Sequence, residues 1–439
     1  MRFFRGLISL GIGILVIGLL AKPALAFCGF YVAKADTNLY NQASQVIIAR
    51  EGNRTILTMA NDYQGDVKDF ALVVPVPVIL EEEQVNIGNP EILTRLDGFS
   101  APRLVEYFDE NPCDIFSGRR EQDALPSAAP LAESKETMMQ KNSLGVTVEN
   151  SFSVGEYDIL ILSAKESDGL ETWLKQNGYK IPSGASEILQ PYIKENLKFF
   201  VAKVNLQEFD ASGFQSLRPL MMAYESPKFM LPIRLGMVNG KGEQDLIVYL
   251  LSPKGQIELT NYRTVKVPSD VEIPEFVQQE FNDFYKAMFT KAYDNEGRKV
   301  AFVEYAWDMG SCDPCSAEPL NPDELQQAGV FWLDNNWGNS VFITRLHVRY
   351  TGDRFPTDLN FQETANQEFF QGRYVIRHPF RGEMTCDAAR EYQLSVRERQ
   401  ETEAQTLARL TGWDEGTIRS KMDLMEVDTT PTPWWRGIW

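Results

Sequence analysis

The stretch QVIIAREGNRTILTMA, residues 45–60, decides the fold class. Residues 45–49 and 55–60 are short runs rich in β-branched and apolar side chains. They flank Glu51-Gly52-Asn53, whose residue types favour a tight turn. The pattern predicts a β-hairpin, and the next β-favouring run, residues 70–78, extends it into an antiparallel meander.

Outward from the hairpin, further short strands alternate with three helices. Strands are predicted at residues 146–148, 156–163, 199–206, 219–224, 230–237, 246–251 and 341–350. Helices are predicted at residues 167–177, 274–292 and 387–411, the last closed by Gly412. The fold class is therefore α+β and β-rich, with several antiparallel β-modules and flanking helices.

A unit of strand, tyrosine, turn and proline-containing strand recurs along the chain. It is centred on residues 61–66, 222–225 and 349–353. A duplicated β-unit explains the recurrence, but a tyrosine that ends a strand before a Gly-Asp turn is also common turn chemistry. The sequence does not distinguish a repeated strand-turn-strand unit from common turn chemistry.

The N-terminus has the pattern of a secretory signal peptide. Arg2 and Arg5 precede an apolar run over residues 7–21, and Ala24-Leu25-Ala26 fits a signal-peptidase site. The run is shorter than the roughly 20 residues that span a bilayer. We expect cleavage after Ala26 and an extracytoplasmic location, either periplasmic or secreted, with no membrane span left in the mature chain.

The remaining length is enough for more than one module. Residues 117–142 are poor in large apolar side chains and are predicted to form a flexible linker. This linker separates an N-terminal β-rich module, residues 27–116, from a central α+β module, residues 143–270. A C-terminal α+β module follows, residues 271–439. We expect limited proteolysis to cut the linker first.

The net negative charge of the chain argues against nucleic acid as a partner. The chain has 43 Lys and Arg against 61 Asp and Glu, and residues 1–26 contain three of the basic residues and no acidic one. The mature chain therefore has a net charge of −21. Nucleic-acid binding needs a basic surface, and none is visible in the sequence.

The five cysteines are the one group with obvious chemistry: Cys28, Cys113, Cys312, Cys315 and Cys386. An oxidising compartment favours disulfides, and all five are candidates. Two bridges and one free thiol can be drawn in about fifteen ways. We expect Cys28 to pair with Cys113, because that bond would close the first module.

Cys312-Asp313-Pro314-Cys315 has the spacing of a redox motif. The carboxylate of Asp313 opposes thiolate formation, and the surrounding sequence lacks a thioredoxin-like pattern, so a structural bridge is favoured. A zinc site would need Cys312, Cys315, Cys386 and His378 together. Export makes disulfides the better interpretation, and we assign no metal or cofactor.

Other catalytic patterns are absent from the sequence. The chain has two histidines and no Gly-x-Ser-x-Gly, His-Glu-x-x-His or phosphate-binding glycine motif. His347 lies in a predicted strand beside Arg345 and Arg349, which indicates a solvated or ion-paired surface histidine. His378 is expected to make a structural hydrogen bond. No catalytic residue is assigned.

Several short motifs occur in an order that resembles a known family. They are Cys28-Gly29-Phe30, Tyr63-Gln64-Gly65, Val74-Pro75-Val76-Pro77, Ala101-Pro102-Arg103, Tyr157-Asp158-Ile159, Asn177-Gly178-Tyr179 and Leu231-Pro232-Ile233-Arg234. The chain resembles the bacterial secreted proteins catalogued as domain of unknown function 2330. The resemblance implies export, and it implies no activity and no functional residue.

Two hypotheses for function follow. The first is a non-catalytic envelope protein that binds a partner protein or a surface glycan, or serves as a scaffold. The second is an extracytoplasmic thiol-disulfide oxidoreductase that uses Cys312 and Cys315. The absence of a complete catalytic set favours the first, and the sequence does not determine the oligomeric state.

Overall fold

The computed structural model describes residues 30–31, 40–41, 44–60, 63–64, 71–113, 145–177, 179, 185–212, 216–239, 242–311, 313, 317–333, 340–386 and 388–427. The first strands are β1 (Phe30–Tyr31), β2 (Tyr40–Asn41), β3 (Ser44–Glu51), β4 (Arg54–Met59), β5 (Tyr63–Gln64), β6 (Ala71–Val76), β7 (Val85–Ile87), β8 (Arg103–Phe108), β9 (Val146–Val154), β10 (Tyr157–Ala164) and β11 (Lys198–Val204). The later strands are β12 (Leu220–Glu225), β13 (Met230–Leu231), β14 (Gln244–Ser252), β15 (Ile257–Leu259), β16 (Arg263–Lys266), β17 (Val271–Glu272), β18 (Val300–Asp308), β19 (Phe342–Tyr350), β20 (Leu359–Glu363), β21 (Phe370–Gln371) and β22 (Arg373–His378).

Helices lie on both sides of the sheets. They are α1 (Pro90–Ser100), α2 (Ser167–Gln176), α3 (Ala185–Lys194), α4 (Leu206–Ser212), α5 (Gly236–Asn239), α6 (Phe281–Asn295), α7 (Pro322–Gln327), α8 (Ala388–Thr411) and α9 (Glu415–Lys421). The α+β, β-rich prediction is confirmed. The hairpin is confirmed as well, since β3 pairs with β4 across a turn in which Gly52 has φ +60°.

Two large sheets pack face to face. One has the order β16-β18-β19-β14-β3-β4-β12-β7, with β21 also paired to β18, and the other has the order β1-β6-β11-β10-β9. Alternate residues of each strand, such as Val46 and Ile48 of β3 or Ile159 and Ile161 of β10, form a shared core. Helices cover the outer faces, so the described chain is layered helix, sheet, sheet, helix.

Each outer face has its own apolar cluster. Helices α2 and α3 pack on the five-stranded sheet through Leu170, Leu174 and Tyr192. Helices α1 and α7 cover one part of the large sheet. Helices α6 and α8 cover the neighbouring part, together with the small sheet β17-β22-β8. The boundary between these last two clusters positions the site described below.

Strands of all three predicted modules lie in the large sheet. The first module contributes β3, β4 and β7, the central module β12, β14 and β16, and the C-terminal module β18 and β19. Strand β3 even pairs in parallel with β14. The modules therefore share a sheet, and their exact boundaries stay a prediction. The predicted linker, residues 117–142, and the predicted signal peptide, residues 1–26, lie outside the described residues.

Two predicted elements differ from the structure. The strand expected at residues 230–237 ends after Leu231, where Pro232 has no N–H for a ladder. The carboxylate of Asp358 then accepts the backbone N–H groups of Ile233 and Arg234 at 2.9 and 3.1 Å. The helix expected at residues 274–292 is a 3₁₀ turn, Glu275–Gln278, followed by α6. The third predicted helix is confirmed as α8. The repeated unit stays a prediction, because part of its first copy lies outside the described residues.

Candidate functional site

Strand β18 has a β-bulge at a buried acidic residue, Glu304. The pairing of β18 with β19 shifts between Val303 and Tyr305, so Glu304 is the extra residue. Val303 belongs to the core between the sheets, whereas Tyr305 belongs to the outer cluster. Glu304 faces the outer side by ordinary alternation, and the bulge brings Tyr305 to the same side. There Glu304 meets the charged residues of β19.

Close backbone packing holds this bulge. The N–H of Gly372, between β21 and β22, donates to the carbonyl of Glu304 at 2.7 Å. A Cβ atom at position 372 would lie 3.0 Å from that same oxygen. A side chain at position 372 would therefore crowd this hydrogen bond, which favours glycine.

Six charged residues form what we call the buried charge network. Three cations of β19 lie on the outer face of the large sheet. Ile343 of the same strand lies on that face too, in the apolar cluster covered by α1 and α7. Three carboxylates from α1, β14 and β18 surround them. The network consists of Asp97, Asp245, Glu304, Arg345, His347 and Arg349. Cations and carboxylates are equal in number.

Glu304 is the centre of the network. Glu304 is 1% exposed to solvent. Its carboxylate accepts the Nε of Arg345 at 2.6 Å, Nδ1 of His347 at 2.7 Å and the hydroxyl of Tyr285 from α6. A buried carboxylate is tolerated when charge and hydrogen bonds compensate its lost hydration, and Glu304 has both.

His347 carries a positive charge. Its Nδ1 faces Glu304, and its Nε2 lies 3.0 Å from the carboxylate of Asp245. Ionised carboxylates only accept hydrogen bonds, so both ring nitrogens must donate, as they do in an imidazolium. The ring of Phe289 from α6 stacks on His347 with centroids 3.9 Å apart and covers it from solvent.

The remaining pairs lie at the rim of the network. Arg349 donates to both oxygens of Asp245, at 2.8 and 2.9 Å. Arg345 also donates to Asp97 of α1 at 2.7 Å, and Asp97 is partly exposed. Ion pairs thus connect α1 to β14, β18 and β19, while the hydroxyl of Tyr285 adds α6.

The charges shift each other's pKa values. Burial alone would lower the pKa of His347, but the attraction of Glu304 and the hydrogen bonds to both carboxylates raise it to about 9. Burial alone would raise the pKa of Glu304, but His347 and Arg345 lower it to about 2. The pKa of Asp245 is also lowered, against the effect of its burial, by His347 and Arg349.

We expect a pH dependence of stability from these shifts. The raised pKa of His347 contributes stability fully below pH 6.5 and loses it as pH rises from 6.5 to about 9. The lowered pKa of Glu304 contributes fully above pH 4.5 and loses it as pH falls towards 2. Urea unfolding at several pH values measures both limbs. His347→Gln is expected to flatten the alkaline limb, and an unchanged slope in this variant would contradict the assignment.

Most of the chain matches the model of a known family. The model of a family described as uncharacterised protein conserved in bacteria (DUF2330) matches residues 22–362. The chain belongs to the DUF2330 family. No curated protein and no solved structure matches the chain.

The matched segment of this DUF2330 protein contains the whole buried charge network, from Asp97 to Arg349. It ends before β22, α8 and Cys386. The network is thus a feature of the family-matched part of the chain. The resemblance stated from the sequence motifs is confirmed.

The cysteine pairing differs from our expectation. Cys113 is bonded to Cys386, which lies just before α8, with 5.6 Å between their Cα atoms. The expected pairing of Cys113 with Cys28 is therefore wrong, because Cys113 already has a partner. Cys386 is likewise unavailable for the zinc set. Cys28, Cys312 and Cys315 lie outside the described residues.

One residue of the Cys-x-x-Cys motif is described. The carboxylate of Asp313 accepts the hydroxyl of Tyr305 at 2.9 Å and the amide of Gln371 at 2.8 Å. Tyr305 is buried in β18, directly after the bulge. This motif is thus attached at its second residue to the same strand that carries Glu304.

The two histidines are partly as predicted. His347 is ion-paired, but it is mostly covered rather than solvated, with 12% of its side chain exposed beside Phe289. His378 makes the expected hydrogen bonds, to Glu106 at 2.7 Å and to Glu275 at 3.1 Å. Arg345 and Arg349 share a face with His347, as predicted. The sequence did not indicate which carboxylates pair with Arg345, His347 and Arg349.

The described part of the chain has neither a membrane-spanning helix nor a cluster of metal ligands. None of its helices combines the length and the apolar character needed to cross a membrane. Within the same ranges, no three histidine, cysteine, aspartate or glutamate side chains are grouped as metal ligands.

Proposed function

We propose that this DUF2330 protein is exported and acts in the bacterial envelope as a non-catalytic binding or scaffolding protein. The observation that carries the proposal is the closed arrangement around Glu304. The carboxylate of Glu304, at the centre of the buried charge network, is 1% exposed and already accepts hydrogen bonds from three side chains. A general acid or base must reach its substrate, so these charges serve the fold instead.

The disulfide supports the extracytoplasmic part of the proposal. Cys113 and Cys386 are joined over a sequence separation of 273 residues. Stable bridges of this kind form in the periplasm or outside the cell, because cytosolic thiols are kept reduced. The predicted signal peptide, residues 1–26, agrees with this location.

Fractionation and capture test the proposal together. We expect the protein in the extracytoplasmic fraction, with Phe27 as its first residue by N-terminal sequencing. Native capture from an envelope extract, followed by cross-linking, should recover a defined protein or glycan partner. A cytosolic protein that retains Met1 would overturn the export, and a purified protein with turnover of its own would overturn the non-catalytic role.

The thiol-disulfide alternative has a direct test. If Cys312 and Cys315 are structural, their bond should resist a glutathione buffer, and Cys312→Ser with Cys315→Ser should leave partner capture unchanged. The acidic residue Asp313, which lies between the two cysteines in the sequence, supports this outcome, because a nearby carboxylate disfavours a thiolate. Rapid alkylation of Cys312 near neutral pH, together with disulfide reductase activity that the double variant lacks, would favour the enzyme.

A further inference from the structure

Strand β8 presents two large exposed aromatic side chains at the edge of a sheet. In the small sheet β17-β22-β8, β8 pairs in parallel with β22. Across the described ranges, β22 is the one strand hydrogen-bonded to β8. Phe108 is 72% exposed and Tyr107 is 43% exposed. Exposed apolar side chains at an open edge are typical of sites where another chain binds.

The backbone of β8 has hydrogen-bonding groups directed to this edge. The N–H groups of Arg103 and Asp109 donate to the carbonyls of Gly372 and His378, at 3.0 and 2.9 Å. Alternate residues of a strand direct their N–H and C=O groups to the same side. Leu104, Glu106 and Phe108 therefore direct theirs away from β22, where an added strand could pair with them.

The edge is already held in one conformation. The ring of Phe108 stacks on His378 with centroids 4.4 Å apart, and His378 is hydrogen-bonded to Glu106 and Glu275. The guanidinium of Arg377 lies over the ring of Tyr107 at 5.4 Å. Five residues beyond the strand, Cys113 is fixed to Cys386. A preorganised edge loses little conformational entropy when it binds.

Charge at the edge indicates the kind of segment that fits. Exposed Glu106 and Glu110 lie two residues before and after Phe108. Glu106 also accepts hydrogen bonds from His378 and Gln278, so Glu110 is the main attraction for a cation. The whole chain is acidic, with a formal net charge of −18. A lysine or arginine next to an apolar side chain would complement this arrangement of carboxylate, aromatic ring and carboxylate.

We propose that the β8 edge binds an extended, cationic segment of a partner protein, which adds to the small sheet as a strand. The main-chain groups of Leu104, Glu106 and Phe108 pair with the segment. Phe108 and Tyr107 contact its apolar side chains, and Glu106 and Glu110 attract its cations. The inference rests on the proposed binding function and gives that function a surface and a class of partner.

Labelled peptides test the edge with defined probes. The probes are an octapeptide of alternating valine and lysine and its counterpart of alternating valine and glutamate. We expect the cationic peptide to bind at least about tenfold more tightly than the acidic one, and Phe108→Ala to weaken its binding by about tenfold. Phe369→Ala is the matched control, since Phe369 is 44% exposed and belongs to no part of this edge. It should bind as the wild type does.

Hydrogen exchange resolved to single residues locates the peptide. The amides of Leu104, Glu106 and Phe108 should gain protection in the complex, whereas those of Val105 and Tyr107 face β22 already. Equal binding of both peptides, no loss in Phe108→Ala, or protection elsewhere would overturn the proposed edge. Capture of the same partner by wild type and Phe108→Ala would reject the edge and keep the binding function. Binding of the peptide at β8, with no partner recovered from the envelope extract, would keep the proposed edge and reject the proposed binding function in the envelope.

Discussion

Replacing Glu304 by alanine is expected to destabilise the protein by about 3–5 kcal/mol, measured as the free energy of unfolding in urea near pH 6. Removal of this carboxylate leaves Arg345 and His347 without their most deeply buried partner. It also leaves the hydroxyl of Tyr285 without its acceptor. An unpaired charge in a buried site costs far more than the lost attraction alone.

Two further variants separate charge from other effects. Glu304→Gln keeps the size of the side chain and removes its charge, so we expect it to account for most of the loss. Glu368→Gln removes a carboxylate from an exposed ion pair with Lys266, and it should change stability by about 0–1 kcal/mol. Similar small effects at positions 304 and 368 would show that the buried charge network contributes little to stability.

Removal of the disulfide is the second large effect. Cys113→Ala with Cys386→Ala should lower the free energy of unfolding by about 2–5 kcal/mol, because the bond closes a very long loop in the unfolded chain. The loss should appear in thermal and urea unfolding of the oxidised protein. The bond also ties the end of β8 to the start of α8, so we expect faster exchange of the β8 amides in the variant.

Peptide mapping under non-reducing conditions checks the pairing itself. A linked pair of peptides that contain Cys113 and Cys386 is expected. Cys28→Ala serves as the matched control, and it should leave that linked pair and the stability contributed by Cys113 unchanged. A linked pair that contains Cys28 and Cys113 would contradict the structure.

Much of the local structure could be predicted from short patterns. The hairpin at residues 45–60 has two short runs of β-branched and apolar residues around a turn with Gly52, and both signals act within a few residues. The long helix α8 ends where Gly412 adopts φ +77°, the conformation for which glycine is suited. By contrast, the N–H groups that follow β13 are accepted by Asp358, which is more than 120 residues away. No local pattern contains that information.

The centre of the candidate site escaped prediction for a similar reason. Val303-Glu304-Tyr305 looks like ordinary strand alternation, in which an acidic residue between two apolar ones faces solvent. The outer face is instead covered by helices, and the bulge breaks the alternation by placing Tyr305 beside Glu304 on that covered face. A useful signal was present in β19, where Arg345, His347 and Arg349 alternate with apolar residues. Three cations on one face of a strand need carboxylates nearby, but the sequence does not say which ones.

Cysteine connectivity could not be predicted for another reason. The expectation for Cys28 and Cys113 assumed that each module closes on itself. Strand β8 instead pairs with β22, which brings Cys113 next to the start of α8 and to Cys386. The pairing of distant strands decides the bond, and spacing along the chain does not.

The parallel pairing of β3 with β14 has a consequence for the nascent chain. The hairpin of β3 and β4 lies in the middle of the large sheet, between β14 and β12. Roughly 190 residues separate β3 from β14, and synthesis of that length takes about 10–40 s at 5–20 residues per second. Until then the β3 edge lacks its neighbour, and apolar Ile48 lacks the residues of β14 that belong to the same core. We expect the ribosome-bound N-terminal segment to require a holding chaperone throughout this interval.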